Sequence, residues 1–177
     1  LDILADMADS KCDTIYAQTW NPAWGQYGGD SQGLVIMHFE NGVRATYEGA
    51  KTNAMGLNGW SKEYIRAECE NSTLTMSNRR IEHFAYQPEA KVVSAEEGTG
   101  ENIPLHDQRK WKDAWLVEKY TAWLDGGEPM ETNIEDNLQS VALIFSAIES
   151  SRTGQPVKVH EFLTCLLYTS PSPRDRY

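Results

Sequence analysis

The chain has no glycine-rich phosphate cradle. Neither G-x-G-x-x-G nor G-x-x-x-x-G-K-S/T occurs in its 177 residues, so no dinucleotide or nucleotide site is legible and no cofactor is expected on this chain itself. His38, His83, His106 and His160 stand singly, without the paired spacing of metal ligands, and Cys12, Cys69 and Cys165 add no such spacing. No metal site is therefore expected. The same thiols form no even disulfide set, which suits a reducing, cytoplasmic setting. No apolar run approaches the roughly 18 residues of a membrane span, and no secretory leader opens the sequence. A membrane is not an expected partner. Cations are scarce, with 16 Lys and Arg against 26 Asp and Glu and a net charge of -10. That balance argues against a nucleic-acid partner, because phosphate binding needs clustered basic residues.

What is present is the composition of a globular domain, 40% apolar and 24% charged, and long enough for a real core. Two stretches look out of place. The chain opens on Leu1 inside a helical pattern, LDILADMAD, with no room for a cap. From about Thr164 it changes abruptly to TCLLYTSPSPRDRY, which resembles translated sequencing-adapter sequence. Residues 164–177 are accordingly expected to be a non-native tail, and residues 1–163 a domain truncated at its N-terminus.

Between these ends the order is helix, strand-rich middle, then two helices. Cys12–Thr19 alternates as a strand, and a long aromatic loop, WNPAWGQYGGDSQG, follows from Trp20 to Gly33. Such a loop is often a binding or lid element; the alternative is that Trp20 and Trp24 plug one end of the core. LVIMHFE and VRATYE flank Asn41-Gly42, which predicts a hairpin with a tight type I′ turn. Val35, Met37 and Phe39 should share one face, and Leu34, Ile36 and His38 the other. A lone histidine such as His38 is more often packed or hydrogen-bonded than catalytic. Strands are expected over 63–70, 73–76 and 80–86, and an irregular connector over 87–106. Asp107 could cap a helix over 108–125, whose stripe of Trp111, Trp115, Leu116, Tyr120, Trp123 and Leu124 reads as core.

The most fully punctuated stretch is 132–159. Thr132 and Glu135 have the spacing of a capping box, Arg152 suits the C-terminal dipole, and Gly154 and Pro156 end the helix. Ile134, Leu138, Val141, Phe145 and Ile148 recur at helical spacing, while Leu143 and Ile144 fall off that stripe. This helix should bury more than one flank. The pattern as a whole predicts an α+β domain, a sheet with helices on one face.

The helix ending in Ala-Ile-Glu-Ser-Ser, followed by Thr-Gly-Gln-Pro-Val, resembles the closing helix of the family of glucose–fructose oxidoreductase and inositol dehydrogenase, Gfo/Idh/MocA. Other elements are similar to it over about residues 1–162. Asp2 in LDIL matches the last aspartate of the family's D-x-x-x-H-x-x-D pattern. Asp30 precedes the LVIMHFENGVRATYEG hairpin, and ECENSTLTM resembles the E-x-x-G-x-L strand turn, with Asn71-Ser72 in place of the usual glycine. Asn58-Gly59-Trp60 stands where family members carry a substrate-reaching aromatic.

This resemblance implies an α+β domain with an open, largely antiparallel sheet and helices on one face, the C-terminal domain of a two-domain oxidoreductase. Its Rossmann domain would bind NAD or NADP, and that domain and the catalytic Lys, Asp and His would lie before Leu1. No catalytic residue is thus expected here. Asn58, Trp60, Trp24 and Asp2 become candidate walls for a sugar, cyclitol or related polyol. The sheet's outer face becomes a candidate homo-oligomer interface. An NAD-dependent glycosidase of the same family, or a non-catalytic sugar-binding or dimerisation module, remain the alternatives.

Overall fold

The computed structural model describes residues 1–52, 63–89 and 95–169. The chain divides into two compact units, residues 1–52 with those from 117 onward, and the intervening 53–116.

The first unit is built on a four-stranded antiparallel sheet. Its strands are β1 (Cys12–Trp20), β2 (Gln32–Phe39), β3 (Arg44–Ala50) and β8 (Val157–Lys158), in the order β3-β2-β1-β8. Alternation along β2 decides which face is which. Val35, Met37 and Phe39 are buried, while Leu34, Ile36 and His38 point outward. Helices α1 (Asp2–Ala8), α3 (Ile134–Thr153) and α4 (Val159–Thr169) supply the residues that close the inner face. Ala5, Ala8, Ala142, Leu143, Ala147 and Val159 form one core with Ile15, Ala17 and Met37. Helices thus lie on one face of the sheet, as the sequence pattern predicts, and the sheet is open and antiparallel, as the resemblance implies.

The hairpin turn differs from expectation. Gly42 N–H donates to Phe39 O at 3.0 Å and Phe39 N–H to Val43 O at 3.0 Å, leaving a three-residue loop. Only Gly42 takes positive φ there, at 93°. This is a type I turn closed by a left-handed glycine, in place of the expected type I′. Positive φ at both central residues occurs instead at Asn78 and Arg79, between Ser77 and Arg80, which pair.

Helix α3 corrects two expectations. Its cap is Asn133, whose side-chain oxygen accepts from Glu135 N–H at 2.9 Å; Thr132 is exposed just outside the helix. The bulky stripe is also not the buried one. Ile134, Val141, Phe145 and Ile148 are exposed, and Leu138 is half-buried. The opposite face, Ala142, Leu143, Ser146, Ala147 and Ser150, is buried. Small side chains let the helix axis approach the sheet closely, and two of its hydroxyls serve the sheet edge. Strand β8 pairs only with Thr14 and Ile15. Beyond that point Ala17 N–H donates to Ser150 Oγ at 2.9 Å and Thr19 N–H to Ser151 Oγ at 2.9 Å.

The second unit carries its own antiparallel sheet, in the order β4 (Ile65–Glu68), β5 (Ser72–Ser77), β6 (Arg80–Ala85) and β7 (Glu101–Ile103). β7 lies where an irregular connector was expected, being too short for alternation to reveal it. Helix α2 (Asp113–Leu124) starts well after Asp107, behind a left-handed Lys112 at φ 55°. None of its residues is buried, so the aromatic stripe is not core. At the far end of the chain β8 ends at Lys158, and α4 runs past Thr164 into the segment set aside as a tail.

Candidate substrate-side surface

The connection from β1 to β2, residues 21–31, is long for an antiparallel pair that needs only a few residues to turn. Its backbone is tied down locally. Ser31 N–H donates to Trp20 O at 3.1 Å, and Gly25 N–H to Pro22 O at 2.7 Å. Asn21 is the internal brace, donating to Tyr27 O at 3.0 Å and accepting from Ser31 Oγ at 2.7 Å. A Cβ on Gly25 would sit 2.0 Å from Asn21 Oδ1, so the brace requires glycine there. At the foot of the loop Thr19 Oγ1 bonds the carboxylate of Asp30 and lies 2.9 Å from Ser151 Oγ. Gln32 similarly reaches Thr52.

The aromatics of this braced loop face solvent. Trp24 is 73% exposed and Tyr27 53%, with Trp20 also exposed. Neither tryptophan plugs the core. Asp2, at the start of α1, receives a hydrogen bond from Ser140 Oγ of α3. Ser140 and Ser151 are separated by about 16 Å of helix axis at the α-helical rise, so Asp2 and the foot of the Trp24 loop attach at different turns of α3. Among the described residues no hydrogen bond joins Asp2 to this loop. Asn58 and Trp60 lie outside the described residues. Sequence reasoning missed the part played by Ser151. Its only signal was the Ser150-Ser151 pair, quoted for resemblance rather than for hydrogen bonding.

The titratable groups around this core are structural. Asp13, the extra residue of a bulge in β1, bonds Lys158 Nζ at 2.6 Å. The hydrogen bond from Lys158, then that from Thr14, holds its carboxyl below the usual value. Burial pushes the Cys12 thiol up to about 11, so it stays protonated and unreactive near neutrality. In the second unit, Glu82 is buried in β6, 3.0 Å from Arg80 Nη2, and accepts from Gly98 N–H at 2.9 Å. It fastens the 96–99 turn to its sheet. A groove of about 980 Å³ lies over that sheet, lined in part by Arg66, Glu68, Thr73 and Phe84. Among the described residues no cluster of three His, Cys, Asp or Glu could hold a metal ion, and no helix is long and apolar enough to cross a membrane.

This architecture recurs in solved structures. An oxidoreductase from Agrobacterium radiobacter, in complex with NAD+, L-tartaric acid and magnesium, superposes with TM-score 0.68 and 18% identity, over 90% of this chain and 47% of that one. The fold is that of the C-terminal domain of Gfo/Idh/MocA-type oxidoreductases. The WlbA dehydrogenase from Bordetella pertussis, in complex with NADH and UDP-GlcNAcA, gives TM-score 0.61 and 16% identity over 89% of this chain and 41% of its own. An aldose-aldose oxidoreductase from Caulobacter crescentus complexed with glycerol gives 0.64 and 14%, over 89% and 44%. In sequence, the uncharacterized protein y4oX of Sinorhizobium fredii is 50% identical over 163 residues, 92% of this chain. The chain spans 45% of that curated relative's length. No protein-family profile matches.

Proposed function

We propose that this chain is the substrate-side, C-terminal domain of an NAD(P)-dependent oxidoreductase acting on a sugar, cyclitol or related polyol. One observation carries the reading. The fold matches, along about nine-tenths of this chain, less than half of each of two enzymes whose structures contain NAD+ or NADH. A dinucleotide pyrophosphate needs backbone amides at a glycine-lined helix start. Here α2 follows Trp111 and Lys112, α3 starts after Asn133, and α4 follows β8 directly. These residues do not fit the group. The reading therefore assigns the cofactor, and the catalytic Lys, Asp and His, to polypeptide outside this chain. Residues 1–163 are the domain in this reading, and 164–177 a non-native extension.

In this reading the chain contributes walls. An indole face stacks on the C–H face of a sugar, the role assigned to Trp60 and Trp24, and an amide such as Asn58 binds hydroxyls. Asp2 is placed on the side of the reacting carbon. The outward face of the first sheet, with Leu34 and Ile36 exposed, is assigned to self-association.

The test is the longer enzyme. Extending the coding sequence upstream of Leu1 should yield a protein that reduces NAD+ or NADP+ with at least one sugar or cyclitol from a panel. Trp60→Ala should then lower kcat/KM for that substrate by the equivalent of about 1–3 kcal/mol, with cofactor affinity unchanged. Failure to reduce either cofactor with any sugar or polyol would overturn the proposal.

A further inference from the structure

Helix α3 has two faces without charge and a cover for only one of them. From Leu138 to Ile148 its sequence, LQSVALIFSAI, carries no charged residue on any side. A helix that is apolar all round is normally packed all round. Here Ala142, Leu143, Ser146, Ala147 and Ser150 are buried. On the opposite side Val141, Ile144, Phe145 and Ile148 are between 45% and 54% exposed, and Ile134 extends the same stripe. Single exposed apolar residues need no explanation, but a stripe along about four helical turns does. Ile3 and Met7, one turn apart on α1, are exposed as well.

The place where α1 begins indicates what covers the stripe. Asp2 receives the Ser140 hydrogen bond, and Leu1 packs against the core. Ser140 directly precedes Val141 and stands one helical turn from Ile144. Polypeptide joined at Leu1 therefore emerges beside the stripe and meets it at an effective concentration that a free partner does not reach. Such polypeptide is long in the relative y4oX, where the match accounts for 45% of the length and more than half lies outside it. A lipid surface is the poorer occupant, because a helix lying on one needs several cations beside its apolar face. The only cation of α3 is Arg152, bound to Glu149 at 2.7 Å.

We propose that Val141, Ile144, Phe145 and Ile148 of α3 form an intramolecular docking face, covered by an apolar surface of the polypeptide that precedes Leu1. This rests on the functional reading above, which places the rest of the enzyme before Leu1, and it adds the surface by which the two parts hold together. None of the four residues is a candidate substrate wall, so the face can be altered without altering the site.

The experiment compares the 177-residue chain with the longer enzyme obtained by extending the coding sequence upstream of Leu1, each carrying Val141→Cys or Ile148→Cys. Maleimide labelling, mapped by peptide and referred to the same protein in urea, reads the exposure of each thiol. In the 177-residue chain both thiols should react nearly as fast as in the unfolded protein. In the longer enzyme both should react at least about tenfold more slowly, whatever the protein concentration. Ile148→Lys, which adds no thiol, should lower the unfolding midpoint of the longer enzyme by several degrees and leave that of the 177-residue chain near its parent's. Equal labelling of the two proteins, or equal sensitivity to Ile148→Lys, would overturn the proposal. Protection of the 177-residue chain that grows with its concentration would overturn it in favour of a second copy. Protection of the longer enzyme only when phosphatidylglycerol vesicles are added would overturn it in favour of a lipid surface. A longer enzyme that turns over a sugar with both thiols still reactive would overturn this proposal alone. One that protects both thiols but reduces neither cofactor would support it and remove only the polyol chemistry.

Discussion

At the scale of single residues, the two buried serines of α3 make opposite predictions. Ser150 Oγ accepts from Ala17 N–H and donates to Gln155 O at 2.7 Å. Ser146 Oγ is equally buried and has no hydrogen-bond partner among the described residues. Ser150→Ala should destabilise by about 1–3 kcal/mol, because it orphans a buried amide of the central strand. Ser146→Ala should leave stability unchanged or raise it by up to about 1 kcal/mol. Urea unfolding with a constant m-value measures both. Cys12 gives a third test. Its folded-state value of about 11 lies above the ordinary thiol value of 9.0. The folded state therefore holds the proton more tightly. The associated stability is complete below about pH 9 and declines as pH rises toward 11. Iodoacetamide at pH 8, followed by peptide mapping, should modify exposed Cys69 while sparing Cys12 until the protein unfolds.

Among elements, α3 shows what periodicity can and cannot read. Its existence, its end at Gly154 (φ 67°) and its last-turn Arg152 are all legible in the sequence. Its start and its buried face are not. Thr132 and Asn133 are both good caps, and only the backbone path selects Asn133. Asn133→Ala should therefore cost about 1 kcal/mol, while Thr132→Ala should stay within about 0.5 kcal/mol of the parent, both read by thermal unfolding. The face was misjudged because hydrophobic periodicity weighs bulk, and this helix packs by closeness. Ala142, Ser146, Ala147 and Ser150 fit beneath it because they are small, and the bulky residues are left outward. The hairpin posed no such ambiguity. With period two there are only two faces, and Val35, Met37 and Phe39 could only go in together.

For the whole molecule, the outward face of the first sheet carries the prediction. Tyr16 stands opposite Ile36, and Gln18 opposite Leu34, so aromatic and aliphatic side chains neighbour polar ones across β1 and β2. Leu34 and Ile36 are 46% and 48% exposed there, and apolar side chains exposed side by side are what an interface between copies would cover. The expected outcome is self-association by sedimentation equilibrium, weakened roughly tenfold or more by Ile36→Lys. A variant on the inner face would unfold the sheet instead, so Ile36→Lys should keep the parent's circular dichroism spectrum. Strictly monomeric behaviour at high concentration would remove the interface.

The sequence by itself determined the fold class, the hairpin's inner and outer faces and the existence of α3, because each follows from local rules of alternation, turns and helix stops. It also carried, as a resemblance spread over many short motifs, the architecture that the solved structures share. Tertiary structure alone decided which face of α3 is buried, since that depends on how closely a helix can approach a sheet. It alone showed that Ser150 and Ser151 finish the edge of β1 where β8 stops, residues more than a hundred positions apart in the chain. And it alone held Trp24 outward on a braced loop, because the bonds of Asn21, Ser31 and Thr19 that fix that loop depend on the folded path of the backbone and not on residue spacing.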